Sequence, residues 1–298
     1  MIFGLSKPDP VELERKGNFK KLIKLLNYKD DPYIRRKSAE ILGKHRIKEA
    51  VDFLIKRMED EDWQVRMKTA EALGFIGDIK ATEALIKGLS DEHWEVRYAC
   101  AISLGKLKDK RATEKLIKLL DDKKREVQKV AAEAIGEIGD DTFLDKLIKA
   151  LSNKHPEVKI FISDAISKIG KNNIEKLLNI LEITDNKGVQ WGIIRAIGET
   201  KDKKVGEKLL RFLKDKDYEL REVAAEALGK IRYEKSVDNL INLLTDSEWS
   251  VRKKAAEALG RIGDKKALPY LEKAEKEEKV KDVLMTIKTA IGLLKNSL

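Results

Sequence analysis

The sequence predicts an all-α fold, an α-solenoid or superhelix of antiparallel helix pairs, and three observations carry the prediction. The position held by Arg35, Arg66, Arg97, Gln128, Lys159, Gln190, Arg221 and Arg252 recurs at one fixed interval without an insertion. A constant period is what stacked repeats need in order to present the same face to each neighbour. Within a period the apolar residues keep helical spacing, as in Val65, Thr69, Ala72, Leu73 and Ile76. Small columns (Ala39, Ala70, Ala101, Ala132, Ala225, Ala256 and Ala72, Ala134, Ala165, Ala196, Ala227, Ala258) alternate with Leu/Ile pairs such as Leu85-Ile86 and Leu116-Ile117. Small residues let two helix layers approach closely.

Residues 1–30 read as an N-terminal lead and capping helices, with Phe19, Leu22, Ile23, Leu25 and Leu26 on one apolar face. A terminal unit lacks a neighbour on one side and must differ from the rest. Residues 31–278 hold eight repeats of 31 residues, each a helix A, a turn, a helix B and a turn. Helix A starts behind Asp31, Asp62, Asn186 or Asp217, with Pro32 and Pro156 at the tolerated first position. The recurring Gly43, Gly74, Gly105, Gly136, Gly198, Gly229 and Gly260 are expected to terminate helix A. Asp78, Asp109, Asp140, Asp202 and Asp264 are expected to cap the start of helix B. Beyond Glu278 the register slips by one residue, and residues 279–298 are expected to form a C-terminal capping helix that carries Val283, Leu284, Ile287, Ile291 and Leu294 and closes the stack. The whole reads as one continuous solenoid domain.

The pattern D-x-x-V-R-x-x-A-A-x-A-L-G-x-I-G-D-x-x-A-x-x-x-L-I-x-x-L, covering residues 31–278, resembles the HEAT repeat in its short, regular, phycobilisome-lyase-type form. The opening FGLSKPDPVEL and KKLIKLLNYKDD resembles the start of archaeal HEAT-repeat proteins. The resemblance implies B helices lining a concave face and a scaffold for protein interactions. It also implies that the repeated arginine bonds the Asp-bearing turns, where Asp60, Asp91, Asp122, Asp215 and Asp246 stand.

A net charge of +10 permits an acidic partner if the charge clusters. Abundant Lys and Glu with a single cysteine suits a thermostable protein. Cys100 lies in a small-residue column and is expected to be buried and inert. There is no apolar run long enough to span a membrane and no secretory leader, so a cytoplasmic location and no membrane partner are expected. Deoxyhypusine hydroxylases, which resemble this chain in repeat type, need paired His-Glu motifs for two irons; His45, His93 and His155 are not followed by Glu, and His45 shares the column of Ile76, Leu107, Ile138 and Ile262, an apolar site. Nothing marks a tetrapyrrole site of the bilin-lyase kind. The turn carboxylates are accounted for by capping. The sequence therefore predicts no catalytic residue, no metal and no cofactor, with a bilin-lyase-like or other HEAT-family enzyme as the second alternative.

Nucleic acid is the nearer alternative, through basic residues of the B helices. There Asp52, Glu83, Glu114, Asp145 and Glu207 precede Lys56, Lys87, Lys118, Lys149 and Arg211 by one helical turn, the favourable orientation for helix ion pairs. That arrangement stripes the face with both signs, and carboxylates repel phosphate.

Residues 154–200 keep the period and lose the consensus. Leu177 and Ile180 stand where the preceding repeat carries Lys146 and Lys149, while Ile160, Phe161 and Trp191 occupy columns that are charged elsewhere. One reading is altered packing and curvature. The other is an anchor for a protein or peptide partner, formed by all of these residues, since exposed apolar groups and aromatics mark interfaces.

Overall fold

The computed structural model describes residues 7–152, 155–171 and 173–296. Among them all regular structure is helical. The chain divides into two compact units, Met1–Phe143 and Leu144–Leu298. The first holds α1 (Pro10–Arg15), α2 (Phe19–Leu25), α3 (Pro32–Lys44), α4 (Val51–Arg57), α5 (Trp63–Ile76), α6 (Thr82–Gly88), α7 (Trp94–Leu107), α8 (Thr113–Leu119) and α9 (Arg125–Ile138). The second holds α10 (Leu144–Ala150), α11 (Pro156–Gly170), α12 (Ile174–Ile183), α13 (Lys187–Glu199), α14 (Gly206–Leu209), α15 (Tyr218–Lys230), α16 (Val237–Asn242), α17 (Trp249–Ile262), α18 (Leu268–Glu277) and α19 (Lys281–Asn296).

In each unit the A helices stack side by side, α3 to α5 to α7 to α9 and α11 to α13 to α15 to α17 to α19. The shorter B helices lie chiefly against the A helix that follows, as α6 does on α7 and α16 on α17. Leu73, Leu104, Leu228 and Leu259 from the A layer and Leu85, Leu116, Leu209 and Leu240 from the B layer are buried between them. Each such side chain contributes about 1.5–3 kcal/mol on leaving water.

The caps follow the sequence. Asp62 accepts from Val65 N at 3.0 Å and Asn186 from Val189 N at 3.0 Å. Asp78, Asp109, Asp202 and Asp264 accept from the amide two residues on and cap the short 3-10 turn that leads into helix B.

The glycines correct the sequence reading. Gly43, Gly74, Gly105, Gly136, Gly198, Gly229 and Gly260 do not end their helices but lie inside them. Close approach explains Gly43, Gly74, Gly105, Gly198, Gly229 and Gly260: a Cβ at Gly43 would sit 2.5 Å from Ala72 Cα, and one at Gly229 2.6 Å from Ala258 Cα. The left-handed terminator stands further on, where Gly77, Gly139 and Gly263 have φ of 77°, 70° and 84°. Arg46, Lys108, Lys201 and Arg232 take the same conformation in other repeats.

The repeated arginines are structural. Arg35 grips Asp60 through Nε and Nη2 at 2.9 and 2.8 Å, and Nη1 donates to the carbonyls of Tyr28 and Lys29. Arg66 and Asp91, Arg97 and Asp122, and Arg221 and Asp246 repeat this fork, as Arg252 does with Glu278. Gln128 and Gln190 keep the carbonyl bond, to Asp122 O and Thr184 O.

Two further expectations are corrected. The B-helix carboxylates reach across to the following repeat: Glu83 meets Arg111, Asp145 meets Lys176 and Asp238 meets Lys266. B helices of about two turns leave the cation of the neighbouring repeat within easier reach than the one a turn along the same helix. His45 is not in an apolar site; it is exposed and its Nε2 lies 2.8 Å from Glu14 Oε1.

Candidate partner-binding site

The irregular segment supplies α11, α12 and α13, and its departures from consensus are largely packing. Gly188 and Gly192 of α13 make room for the end of α10: a Cβ at Gly192 would lie 2.5 Å from Leu151 Cδ1, and one at Gly188 3.1 Å from the Leu151 carbonyl oxygen. Gly170, in the terminator column, stays helical at the end of α11, and a Cβ there would lie 2.8 Å from Leu177 Cδ1. Leu177 is accordingly 0% exposed. This corrects the expectation that it stands on the surface with its lysine counterparts: the space left by Gly170 draws it into the core.

The other candidate residues are distributed over two kinds of helix. Lys146 and Lys149 are exposed on α10, and Ile180 is half-buried on α12. Ile160 and Phe161 on α11 and Trp191 on α13 are half-buried on A helices. Of the candidates, Trp191 enters a concave site, a cleft of about 210 Å³ that it lines with Pro156, Lys159, Tyr218, Glu219, Glu222 and Glu226.

The cleft is built by the period itself. Pro156 and Tyr218 share the column that starts helix A, while Trp191 and Glu222 stand one period apart. Arg195, one turn beyond Trp191, places its guanidinium 6.0 Å from the ring centroid. Arg195 is itself held between Asp164 at 3.2 Å and Glu226 at 3.8 Å. Burial raises the Glu226 carboxyl, but the hydrogen bond from Lys230 and the charge of Lys254 outweigh it and hold the pKa down to about 2. The floor is therefore a fixed ion network, and Trp191 and the 44% exposed Tyr218 are its accessible aromatics.

Neither Tyr218 nor Glu222 is among the candidates read from the sequence. Both were recoverable, because residues about one period beyond Trp191 must face it. Ile183, 81% exposed at the end of α12, was also missed. Cys100 is buried, and burial pushes its thiol well above the ordinary range. Among the described residues no three of His, Cys, Asp and Glu are grouped as metal ligands, and no helix is long and apolar enough to cross a membrane.

The family model for HEAT repeats matches residues 19–89, 79–134, 113–176, 174–243 and 206–292. The chain is a HEAT-repeat protein. None of the curated proteins compared with it gives a match. Among solved structures, Kap95p in its complex with RanGDP is similar over 97% of this HEAT-repeat chain and 45% of its own, at 15% identity and a TM-score of 0.61, which shows the fold alone. The CpcE and CpcF complex of phycocyanin lyase from Nostoc is 25% identical, covering 99% of this chain and 97% of its own, with a TM-score of 0.38. Human deoxyhypusine hydroxylase is 20% identical, covering 86% and 99%, also at 0.38. At those scores neither likeness bears on activity.

Proposed function

We propose that this HEAT-repeat protein is a non-catalytic scaffold for a protein or peptide partner, anchored on the A-helix surface of the second unit around Trp191. The carrying observation is the cleft in which Trp191 and Tyr218 present aromatic surface beside Glu219 and Glu222. Aromatics on a rigid floor lose little freedom on binding and are typical of the residues that dominate interface energy. Ile160 and Phe161 extend the apolar surface along α11. Leu177 belongs to the core and takes no part. The family favours a protein partner, and Kap95p, with the same fold, binds RanGDP.

The test is affinity capture from the native lysate with wild-type protein, Trp191→Ala and Glu222→Lys, with circular dichroism as the control for folding. A polypeptide retained by the wild type is expected to be lost from both folded variants. Undiminished retention by Trp191→Ala would move the anchor elsewhere.

A further inference from the structure

In the second unit the turns between helix A and helix B, around residues 199–206, 230–236 and 261–267, form one edge. Its carboxylates are all engaged. Glu199 pairs with Lys230, Glu234 with Lys203 at 3.5 Å, and Asp202 and Asp264 cap the backbone. At the adjoining B-helix starts Glu207 accepts from Tyr233 Oη and Asp238 pairs with Lys266. By contrast Lys201, Lys204, Arg232, Lys235, Arg261 and Lys265 are exposed and make no ion pair among the described residues. Lys201, Arg232 and Arg261, with Lys203 and Lys230, border one open depression of about 620 Å³.

A cation at a helix C-terminus is stabilised by the helix dipole, which accounts for one per turn and not for two. The corresponding edge of the first unit is neutralised in part: Arg46, Lys48, Lys80 and Lys106 are exposed without an ion pair among the described residues, but other cations are matched. There Lys44 meets Glu14, Lys108 meets Glu137, Lys110 meets Asp140 and Arg111 meets Asp109. The surplus is thus larger in the second unit, six unpaired cations against four, and like charges held together repel until a polyanion joins them.

We infer that this edge binds the phosphodiester backbone of duplex nucleic acid by charge, without reading bases. The edge has cations in a row and no stacking platform: Tyr233, its one aromatic, packs on Gly206 and spends its hydroxyl on Glu207. Single-strand binders stack bases on aromatics, whereas duplex backbone needs only the charges. The site is separate from the Trp191 cleft and from the B-helix columns, where carboxylates intervene.

Fluorescence anisotropy with a labelled duplex of about 20 base pairs tests it between roughly 50 and 200 mM salt. Binding is expected at low salt, with log K falling against log salt by roughly 3 to 5, as for about three to six phosphate contacts. Lys201→Gln/Arg232→Gln/Arg261→Gln, and separately Lys204→Gln/Lys235→Gln/Lys265→Gln, are each expected to weaken binding at least about tenfold and to lower that slope by roughly 3. Two triple variants are used so that a folding failure of one leaves the other decisive. Lys44→Gln/Lys108→Gln/Lys110→Gln and Trp191→Ala are expected to leave duplex binding unchanged, which separates this result from the fate of the partner cleft. No duplex binding at low salt, equal loss in the first-unit control, or tighter binding of the matching single strand or of polyglutamate would each overturn the inference.

Discussion

At the scale of single residues the glycines of the A helices carry a measurable prediction. Ala in place of Gly inside a helix ordinarily gains about 1 kcal/mol. At Gly229 the added Cβ would meet the Ala258 backbone at 2.6 Å, so two helices must separate. Gly229→Ala is therefore expected to destabilise by about 1–3 kcal/mol in thermal unfolding. Gly292 occupies the corresponding place in α19, and a Cβ there would meet nothing within 4 Å. Gly292→Ala should stabilise by up to about 1 kcal/mol, and opposite signs at the two sites are the diagnostic. Recurrence in every repeat but the one with Ser167 made these glycines legible as a feature of the unit. It did not distinguish a helix end from a close crossing, because either one excludes a side chain.

Between elements, the Arg-carboxylate forks of Arg35, Arg66, Arg97, Arg221 and Arg252 tie successive turns together. Their burial sets how much each matters. Arg35 and Asp60 are 4% and 1% exposed, Arg66 and Asp91 12% and 11%. Asp60→Ala would strand a buried guanidinium and is expected to cost about 3–5 kcal/mol in urea unfolding, with Asp91→Ala costing less. A cost at Asp60 no greater than at Asp91 would contradict the assignment. The family resemblance implied these pairs, and Arg35 stands as far from Asp60 in the chain as Arg66 from Asp91. The fate of the irregular middle was not legible in the sequence, since Leu177 is turned inward by the absence of a side chain on Gly170, a contact that column alignment cannot express.

For the molecule as a whole, many carboxylates titrate below their ordinary range, which fixes its response to acid. Hydrogen bonds from Arg252 hold Glu278 down to about 2, and those from Arg111 do the same for Asp109. At Asp91, Asp122 and Asp246 burial pushes upward but is outweighed by the paired arginine and a backbone amide, so these too are lowered. Folded values below unfolded ones mean that the stability is fully present above about pH 5 and lost as pH falls toward about 2. Urea midpoints measured across that interval should drop steeply; a level profile would show that the forks do not hold in solution.

The sequence by itself determined the repeat, the helix starts and the capping aspartates, because each depends on local backbone chemistry or on a fixed period, while the family resemblance supplied the Asp-bearing turns as partners of the arginines. Only the tertiary structure decided which glycines end helices, which apolar residues of 154–200 are core, and which surface cations lack a counter-charge. Those depend on distances between repeats. The constant period places Trp191 and Glu222 in one column, but only the packed helices show that the column borders a cleft and that Leu177 does not reach it.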